Sequence, residues 1–395
     1  MNPQAFALFV AGAVATAPAL AGQAANLRAT LARIALPQGF RISLFALAPG
    51  ARAMAVAPDG HDVIVGTYDA NVYRIPLDGP DAGKTSRFAP ELTFKAPNGP
   101  CFGRDGALFV AEFNRIRRFP ARPGGWDEAH AQDVVAEGGL QPTSEKRLVH
   151  AARVCRFGPD GKLYVAIGQP HNVPTPQQQA FDEKWGLGAI WRMNADGSGR
   201  EVFASGIRNS VGFDFDPADG VLWFTDNQVD RMGDDIPPGE INRAPIAGLN
   251  FGFPWYGGGH VRTREWAHET PPPGVVFPEV EEVAHAADLG MIFYRGSRFP
   301  AVWRGIFSAQ HGSWDRSVPI GARVMFTPVK DGKARASVAF AQGWNTGRTP
   351  YLGRPVDVAE TPDGGLLVSD DQEGAVYRIV YEGETAAPSS RAGHP

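Results

Sequence analysis

The sequence has few cysteines and no excess of basic residues. The first limits the disulfides it can form, and the second disfavours a nucleic-acid-binding protein. Its 395 residues include 38 Lys and Arg against 42 Asp and Glu, a formal net charge of −4. Nucleic-acid-binding domains normally present a basic surface, so we expect no nucleic acid partner. Cys101 and Cys155 are the only cysteines. They permit at most one internal disulfide, which an oxidising compartment would allow, and two separately buried thiols are the alternative.

Several cofactor-binding and catalytic motifs are also missing. The chain has no Cys-x-x-Cys-His, so it carries no c-type haem of its own. It has no Gly-x-Gly-x-x-Gly after a strand, no His-Glu-x-x-His and no Gly-x-Ser-x-Gly. These absences disfavour a Rossmann nicotinamide site, a zinc protease and an α/β-hydrolase. Residues 79–85 look like a phosphate-binding loop but have one residue too few between the glycines.

Long hydrophobic runs are absent except near the N-terminus. No charged side chain precedes Arg28, residues 5–15 are apolar, and residues 19–21 read Ala-Leu-Ala, a small-x-small cleavage pattern. An uncleaved membrane anchor is disfavoured because the run is shorter than the roughly 20 residues that a bilayer requires. We therefore predict that residues 1–21 are a cleaved signal peptide. The mature chain then has no membrane span, and the protein is periplasmic or secreted.

A repeated turn-and-strand pattern occupies most of the remaining chain. An Asp-Gly pair leads into a short apolar strand at five places, a combination typical of β-hairpins. The five copies lie at residues 58–65, 104–110, 159–165, 219–224 and 362–368, with a degenerate copy at 303–308. Six such units predict an all-β protein, a six-bladed β-propeller over residues 36–382.

The ends of the predicted propeller have their own patterns. A strand near residues 40–45 is expected to pair with the last unit near residues 376–380 and close the ring. The best helical pattern, residues 26–35, precedes the first unit. Residues 383–395 have the composition of a disordered tail.

Polar residues beside the repeated strands are the candidates for chemistry, because loops of different blades meet at the channel of a propeller. His150 precedes the third unit, and histidine suits general-base work near neutral pH. A purely structural histidine is the alternative. Arg208 and Asn209 enter the fourth unit and offer donors for an anionic or carbonyl oxygen, or else form a salt bridge between blades.

Two further groups of residues have the composition of ion-binding sites, one for a cation and one for an anion. The segment 226–242 contains five carboxylates, which suit a hard cation such as Ca²⁺, although a solvated acidic loop explains the same composition. His285, His311 and Arg354 lie late in the chain, the last two beside repeat strands. Several cationic or donor groups around one channel favour an anionic ligand.

These segments, taken in order, resemble the glucose/sorbosone dehydrogenase family, six-bladed propellers that bind pyrroloquinoline quinone (PQQ). The resemblance extends from residue 36 to residue 381 and is greatest to the sorbosone dehydrogenase-like branch. It rests on His150 eight residues before Gly158, Arg208-Asn209, the acidic stretch 226–242, Phe251-Gly252-Phe253-Pro254, His311-Gly312-Ser313-Trp314 and the segment 353–358.

The resemblance implies a catalytic role for two residues. His150 matches the family's general base, which takes the proton of the sugar's C1 hydroxyl while a hydride passes to the quinone. Arg208 and Asn209 match the pair that contacts the quinone oxygens, and Arg208 would stabilise the charge that develops there. Electrons would then leave to a separate acceptor, a cytochrome or a quinone, because the chain has no haem motif.

The resemblance also implies binding roles. The main-chain carbonyls of Gln228 and Val229 match the ligands of a Ca²⁺ ion that bridges protein and cofactor. Arg354 matches an arginine that binds a PQQ carboxylate. His311 stands in place of a lysine that contacts the cofactor. Asn98 is a weaker candidate for the same pocket.

Departures from the family pattern leave alternatives open. Gln169 replaces an acidic residue, and Val356 replaces a second arginine. The sequence therefore predicts PQQ-dependent oxidation of an aldose or aldosone sugar at C1, with Ca²⁺ as a second cofactor. The alternatives are a catalytically silent ligand-binding propeller and a Ca²⁺-dependent hydrolase of the lactonase type, which would need carboxylates from several blades around one metal.

Overall fold

The computed structural model describes residues 17–383, and these form a six-bladed β-propeller, as predicted. Each blade is an antiparallel sheet of four main strands, and we number the blades 1 to 6 in chain order. The first strand of each blade faces the central channel, and the fourth lies at the rim. The alternation of short apolar strands and tight turns suits this architecture, which leaves only short and protected sheet edges.

The strand bounds follow the repeat. The inner strands are Met54–Val56, Gly99–Phe102, Cys155–Phe157, Phe213–Phe215, Asp288–Phe293 and Pro355–Glu360. The second strands are Asp62–Val65, Leu108–Ala111, Leu163–Ile167, Leu222–Asp226, Gly305–Gln310 and Leu366–Asp370. The third strands are Val72–Pro76, Ile116–Phe119, Ala189–Met193, Gly239–Ala244, Arg323–Lys330 and Ala375–Tyr381. The outer strands are Ser86–Phe88, Gln132–Val135, Glu201–Ser205, Val280–Glu282, Val338–Gln342 and Phe40–Leu47.

The remaining elements decorate the blades. The short strands Ala121–Arg122 and Gly125–Trp126 pair with each other, Lys333–Ala334 pairs with the end of a third strand, and Leu249–Asn250 runs parallel to Glu201–Ser205. The helices are Ala17–Leu31, Pro176–Trp185 and the 3-10 turn Ala301–Trp303.

The ring closes between the two ends of the propeller. Phe40–Leu47 pairs antiparallel with Ala375–Tyr381, with Phe40 opposite Tyr381 and Leu47 opposite Ala375. The outer strand of blade 6 therefore comes from the N-terminal side, and the predicted closing pair is confirmed. This pairing covers a strand edge of blade 6 that would otherwise be free to pair with another chain.

The Asp-Gly turns connect first and second strands. In the five regular copies the glycine has φ between 73° and 81°, a left-handed conformation that costs glycine little. In blade 5, the degenerate copy, Ala301–Trp303 replaces this turn and Gly305 starts the second strand. Blade 5 therefore forms a complete blade although its Asp-Gly pair is absent.

The N-terminal helix is longer than its predicted pattern at one end and shorter at the other. It spans Ala17–Leu31, so the predicted cleavage site at residues 19–21 lies inside it, and residues 1–16 lie outside the described residues. Leu27 and Leu31 are buried in the core of the last two blades, and the Gln23 side chain donates to the Glu373 carbonyl. These contacts all follow residue 21. No helix within residues 17–383 is long and apolar enough to cross a membrane.

The helix Pro176–Trp185 is an insertion in blade 3 that the repeat did not predict. Its N-terminus is a capping box, in which the Thr175 hydroxyl accepts from the Gln178 amide and the Gln178 side chain accepts from the Thr175 amide. Gly186 ends it with φ +73°. The predicted tail is outside the described residues from position 384 onward.

Cys101 and Cys155 form a disulfide, with their Cα atoms 5.7 Å apart. The bond joins the inner strands of blades 2 and 3, which decides between the two alternatives that the sequence left open. It therefore ties together two neighbouring strands that also line the channel.

Replacing both cysteines by serine should destabilise the propeller by about 2–4 kcal/mol, because the crosslink restricts the unfolded chain over a separation of 54 residues. Urea unfolding at equilibrium measures this. Wild-type protein treated with a reductant should show the same loss, and equal midpoints for oxidised and reduced protein would contradict the prediction.

Candidate active site

One end of the channel collects polar side chains from every blade. Because the first two strands of a blade are antiparallel, residues just before the inner strand and just after the second strand lie at the same end, opposite the Asp-Gly turns. Side chains or main-chain groups at these positions include Arg52, Asn98, His150, Gln169, Asn209, Gln228, His285, His311, Arg354 and Asp371. The fold thus brings the sequence-predicted residues to one mouth.

His150 is a neutral imidazole, and one of its two ring nitrogens is hydrogen-bonded to the protein backbone. Its Nδ1 lies 2.5 Å from the Gln169 carbonyl oxygen, which accepts hydrogen bonds only, so Nδ1 carries the proton and Nε2 keeps its lone pair. Burial, and then the positive charge of Arg208, lowers the pKa of His150 to about 3. Near pH 7 this histidine is therefore in the form that accepts a proton.

Residues 168 and 169 fix the position of that histidine. The Gln169 amide donates to the Arg208 carbonyl at 2.8 Å, so its backbone bridges His150 and Arg208. A methyl group at Gly168 would lie 2.6 Å from the His150 carbonyl oxygen and 3.0 Å from Asn209 Oδ1. The Gln169 side chain is buried with Oε1 unpartnered within residues 17–383. Residue 169 thus contributes no charge to the site, and its backbone links His150 to Arg208.

Asp226 positions the Arg208-Asn209 pair. It accepts the amides of Arg208 at 2.9 Å and Asn209 at 2.6 Å. The guanidinium of Arg208 donates to the Asn172 carbonyl and side chain and to Asp230, the last at 2.8 Å. Asn209 Oδ1 is buried and has no partner among the described residues. Of the two residues, Asn209 thus has the free polar atom.

The opposite side of the mouth is a cationic cluster from blades 1, 5 and 6. Asp371 lies between Arg52 and His311, pairing with Arg52 Nη1 and lying 2.8 Å from His311 Nε2. Arg354 donates to the carbonyls of His311 at 3.0 Å and Gly312 at 2.8 Å. Burial alone would raise the pKa of Asp371, but His311 and Arg52 hold it well below its usual range. Burial lowers the pKa of His311 despite Asp371.

Two sequence-predicted positions are inside the protein. Asn98 is fully buried, accepting from Arg52 Nε at 3.0 Å and donating to the Arg153 carbonyl at 3.3 Å. Its contact with a cofactor stays a prediction, since both ends of the amide already bind protein. Val356 is buried among apolar side chains that include Val154 and Leu289.

The blade 4 side offers oxygen ligands for a cation. Within residues 17–383 no hydrogen bond ends on the main-chain oxygens of Gln228 and Val229, whereas the carbonyls of Asn227 and Asp230 accept from Arg208 and Asn172. The Gln228 side-chain oxygen is also buried without a partner there. Free carbonyl and amide oxygens are ligands that Ca²⁺ accepts.

Carboxylates also gather on this side. One ligand atom each from Asp230, His285 and Asp315 lies within 4.8 Å of the others. Asp226 and Glu240 face each other on neighbouring strands. Burial raises the pKa of both carboxyl groups, and repulsion by Asp226 raises the pKa of Glu240 further. The predicted acidic stretch is therefore partly buried and is not a uniformly solvated loop.

Several residues of the mouth were missed by the sequence reading. Arg52 precedes the inner strand of blade 1 as Arg354 precedes that of blade 6, and Asp371 follows the second strand of blade 6 as His311 follows that of blade 5. Aligning the repeats by these positions would have identified both. Asn172, in contrast, lies in an insertion without periodic signal.

A family profile described as Glucose / Sorbosone dehydrogenase matches residues 130–378, more than half of the chain. The protein belongs to the glucose/sorbosone dehydrogenase family. His150, Arg208, His311 and Arg354 all lie within the matched region. Arg52 and Asn98 precede it.

Curated relatives are also found for this family member. An uncharacterised protein of Borreliella burgdorferi is 36% identical over 248 residues, which cover 62% of this chain and 63% of that protein. An uncharacterised protein of Synechocystis is 30% identical over 181 residues, 40% of this chain and 42% of that protein. The chain thus aligns with less than two thirds of either relative.

Solved structures share the architecture at lower identity. The calcium structure of a Trichoderma reesei enzyme of carbohydrate-active family AA12 has a TM-score of 0.72 at 19% identity, covering 88% of this chain and 97% of that one. The PQQ domain of Coprinopsis cinerea pyranose dehydrogenase has a TM-score of 0.70 at 18%, covering 88% and 97%. The Escherichia coli soluble aldose sugar dehydrogenase has 0.60 at 18%, covering 87% and 99%. These likenesses show the fold.

His150 should stay neutral in the folded protein between pH 7 and pH 5, because burial and Arg208 lower its pKa to about 3. Exposed His61, whose pKa a hydrogen bond to Asp78 raises, should gain its proton already above pH 6.5. NMR titration of the imidazole resonances, with His150→Gln to assign the signal, measures both. A His150 signal that titrates near pH 6.5 would contradict the structure.

Proposed function

We propose that this protein is a PQQ-dependent sugar dehydrogenase that oxidises an aldose or aldosone at C1 and passes the electrons to a separate acceptor. Membership of the glucose/sorbosone dehydrogenase family supports sugar oxidation in general. The observation that carries the proposal is His150, a neutral imidazole at the channel mouth whose Nδ1 is bonded to the Gln169 carbonyl and whose Nε2 keeps its lone pair.

The charges at the mouth fit an anionic quinone. PQQ is a planar tricarboxylate, and bound anions are best held by guanidinium groups. Arg52, Arg208 and Arg354 reach the mouth, where Asp371 pairs with Arg52, Asp230 pairs with Arg208, and buried Asp370 lies near Arg354. Buried Asn209 Oδ1 and Gln228 Oε1 have no partner within residues 17–383. A ligand with polar edges and negative charge would satisfy these groups.

Two residues of the chain have distinct roles in the proposed reaction, His150 in proton transfer and Arg208 in charge stabilisation. Bound PQQ would supply the hydride acceptor. His150 Nε2 takes the proton of the C1 hydroxyl, and the Gln169 carbonyl stabilises the resulting imidazolium by accepting from Nδ1. Arg208, held rigid by Asn172 and Asp230, places a fixed positive charge where negative charge develops on oxygen.

Ca²⁺ would be held on the blade 4 side. The free carbonyls of Gln228 and Val229 are suitable ligands, and Asp230 lies next to them in sequence. A cation here also offsets the negative charge of the neighbouring carboxylates. The cofactor would thus lie between a cation on one side and guanidinium groups on the other.

A Ca²⁺-dependent hydrolase of the lactonase type is the second candidate. Asp230 and Asp315 come from the loops of blades 4 and 5 and approach each other together with His285. Such an enzyme would hydrolyse a sugar lactone with Ca²⁺ alone. A silent binding propeller would bind a ligand and turn over nothing.

The expected export of the chain belongs to the same proposal. A disulfide between Cys101 and Cys155 is stable in an oxidising compartment. Cleavage at residue 21 would leave Gln23, Leu27 and Leu31 in place to pack on the propeller. A periplasmic or secreted enzyme would deliver electrons to a cytochrome or a quinone.

Protein purified without cofactors should reduce a soluble redox dye in the presence of an aldose or sorbosone only after PQQ and Ca²⁺ are added, because both would complete the site. Spectrophotometry with a panel of aldoses, ketoses and sorbosone measures this, with EDTA-treated protein as control. Lactone hydrolysis with Ca²⁺ and no PQQ would favour the second candidate, and PQQ binding without turnover the silent propeller.

Substitution of the base should abolish turnover but not binding. His150→Gln should lower kcat by about 10²- to 10⁴-fold, the usual contribution of a positioned general base, with an unchanged Kd for PQQ. Steady-state kinetics and equilibrium dialysis measure the two quantities. The exposed residue His130, changed to Gln, is the matched control, and an unaltered kcat in His150→Gln would refute the assignment.

A further inference from the structure

A side cavity of about 270 Å³ lies between the loop that precedes His150 and the insertion of blade 3. Its lining includes Glu145 from the loop and His171 and Asp182 from the insertion. None of the residues that line it is among those at the channel mouth. The cavity is therefore a separate place in which a ligand can bind.

Asp182 places a buried carboxylate against this cavity. The residue is 2% exposed, and its Oδ2 has no hydrogen-bond partner within residues 17–383. Burial raises the pKa of this carboxyl to about 6, so it is mostly ionised at pH 7. Glu145 and Arg147 also affect that pKa, but they pair with each other through two hydrogen bonds of 2.9 and 2.7 Å. A buried charge without a partner is costly, so a cation bound at Asp182 would be favourable.

His171 offers a lone pair next to this carboxylate. Its Nε2 lies 3.6 Å from Asp182 Oδ2, which is too far for a hydrogen bond. Neither ring nitrogen of His171 has a hydrogen-bond partner in the described part of the chain. Burial lowers the pKa of this histidine, so the ring is neutral at pH 7. A neutral imidazole is the form that binds metal ions.

The two free atoms are spaced like two ligands of one metal ion. Zn²⁺ binds imidazole nitrogen and carboxylate oxygen at about 2.1 Å, so two ligands of a tetrahedral ion lie about 3.4 Å apart. The 3.6 Å between His171 Nε2 and Asp182 Oδ2 agrees with that spacing to about 0.2 Å, the usual tolerance for a metal site. A nitrogen ligand favours a transition metal over Ca²⁺, which takes oxygen ligands.

The three-residue cluster around His285, on the blade 4 side of the mouth, is less suited to such an ion. Nε2 of His285 donates to the Gly233 carbonyl at 2.8 Å. Its Nδ1 lies 3.2 Å from the side-chain nitrogen of Gln228, which can only donate. Both ring nitrogens of His285 are therefore in use, whereas His171 keeps a free lone pair.

We propose that Asp182 and His171 form a binding site for a transition-metal ion such as Zn²⁺, with water from the open cavity in the remaining coordination positions. The site shares no residue with the one proposed for Ca²⁺ and does not depend on the proposed function. The ion would join the helix Pro176–Trp185 to the segment that follows Gln169. Because the Gln169 carbonyl bonds His150, the ion would also stabilise the insertion beside the channel mouth.

The test titrates the full-length protein with ZnCl₂ in a buffer that contains Ca²⁺, so that sites for hard cations are already filled. Asp182→Asn and His171→Gln should each raise the Kd for Zn²⁺ at least about 10-fold, because each removes a ligand. Isothermal titration calorimetry measures the Kd without PQQ, sugar or turnover. His130→Gln is the matched control, since exposed His130 is hydrogen-bonded to Asp127 at 2.9 Å, and it should leave the Kd unchanged.

A second measurement uses the wild-type protein and does not require that a variant of Asp182 folds. One equivalent of Zn²⁺ should shift the imidazole NMR resonances of His171, assigned with His171→Gln, and leave those of exposed His61 in place. Absence of Zn²⁺ binding, an equal Kd in wild type and both site variants, or unshifted His171 resonances at saturating Zn²⁺ would each overturn the site.

Discussion

The pairing of the strand Phe40–Leu47 with Ala375–Tyr381 is the constraint on which the rest of the molecule depends. It converts six sheets in a row into a ring, so that the first and last blades become neighbours. Only then do Arg52 of blade 1 and Asp371 of blade 6, 319 residues apart in sequence, form an ion pair at the channel mouth. The disulfide between blades 2 and 3 strengthens a second junction of the same ring. The site is therefore a property of the closed ring rather than of any single blade.

Ion pairs occur on both sides of the mouth, between Arg208 and Asp230 at blade 4 and between Arg52 and Asp371 at the junction of blades 1 and 6. Carboxylates and free carbonyls collect on the blade 4 side, around Gln228 and Asp230, whereas Arg52 and Arg354 lie on the side of blades 1 and 6. His150 lies on blade 3, neutral because burial and Arg208 disfavour its protonated form. Under the proposed function, this arrangement suits an anionic cofactor near Arg52 and Arg354 and a cation near the main-chain oxygens of Gln228 and Val229.

Much of the fold was predictable because the repeat is local. An Asp-Gly turn followed by an apolar strand specifies a hairpin wherever it occurs, and six hairpin units leave few ways to bury their faces. The helix Pro176–Trp185 was missed because it interrupts one unit and has no apolar periodicity, although Thr175 and Gly186 carry its start and stop signals. The N-terminal helix was placed too late, since its first turns lie in the stretch interpreted as a signal peptide.

The sequence by itself determined the propeller, because the Asp-Gly turn and its strand recur along the chain. It also determined the family, because the motifs around His150, Arg208 and Arg354 follow one another in the family's order. Tertiary structure decided which groups are still free to bind. It showed that Arg208 is bonded within the protein, that Asn98 is buried, that the two cysteines pair, and that Arg52 pairs with Asp371. The physical reason is that hydrogen-bond commitment and burial depend on neighbours from other blades, which only ring closure brings together.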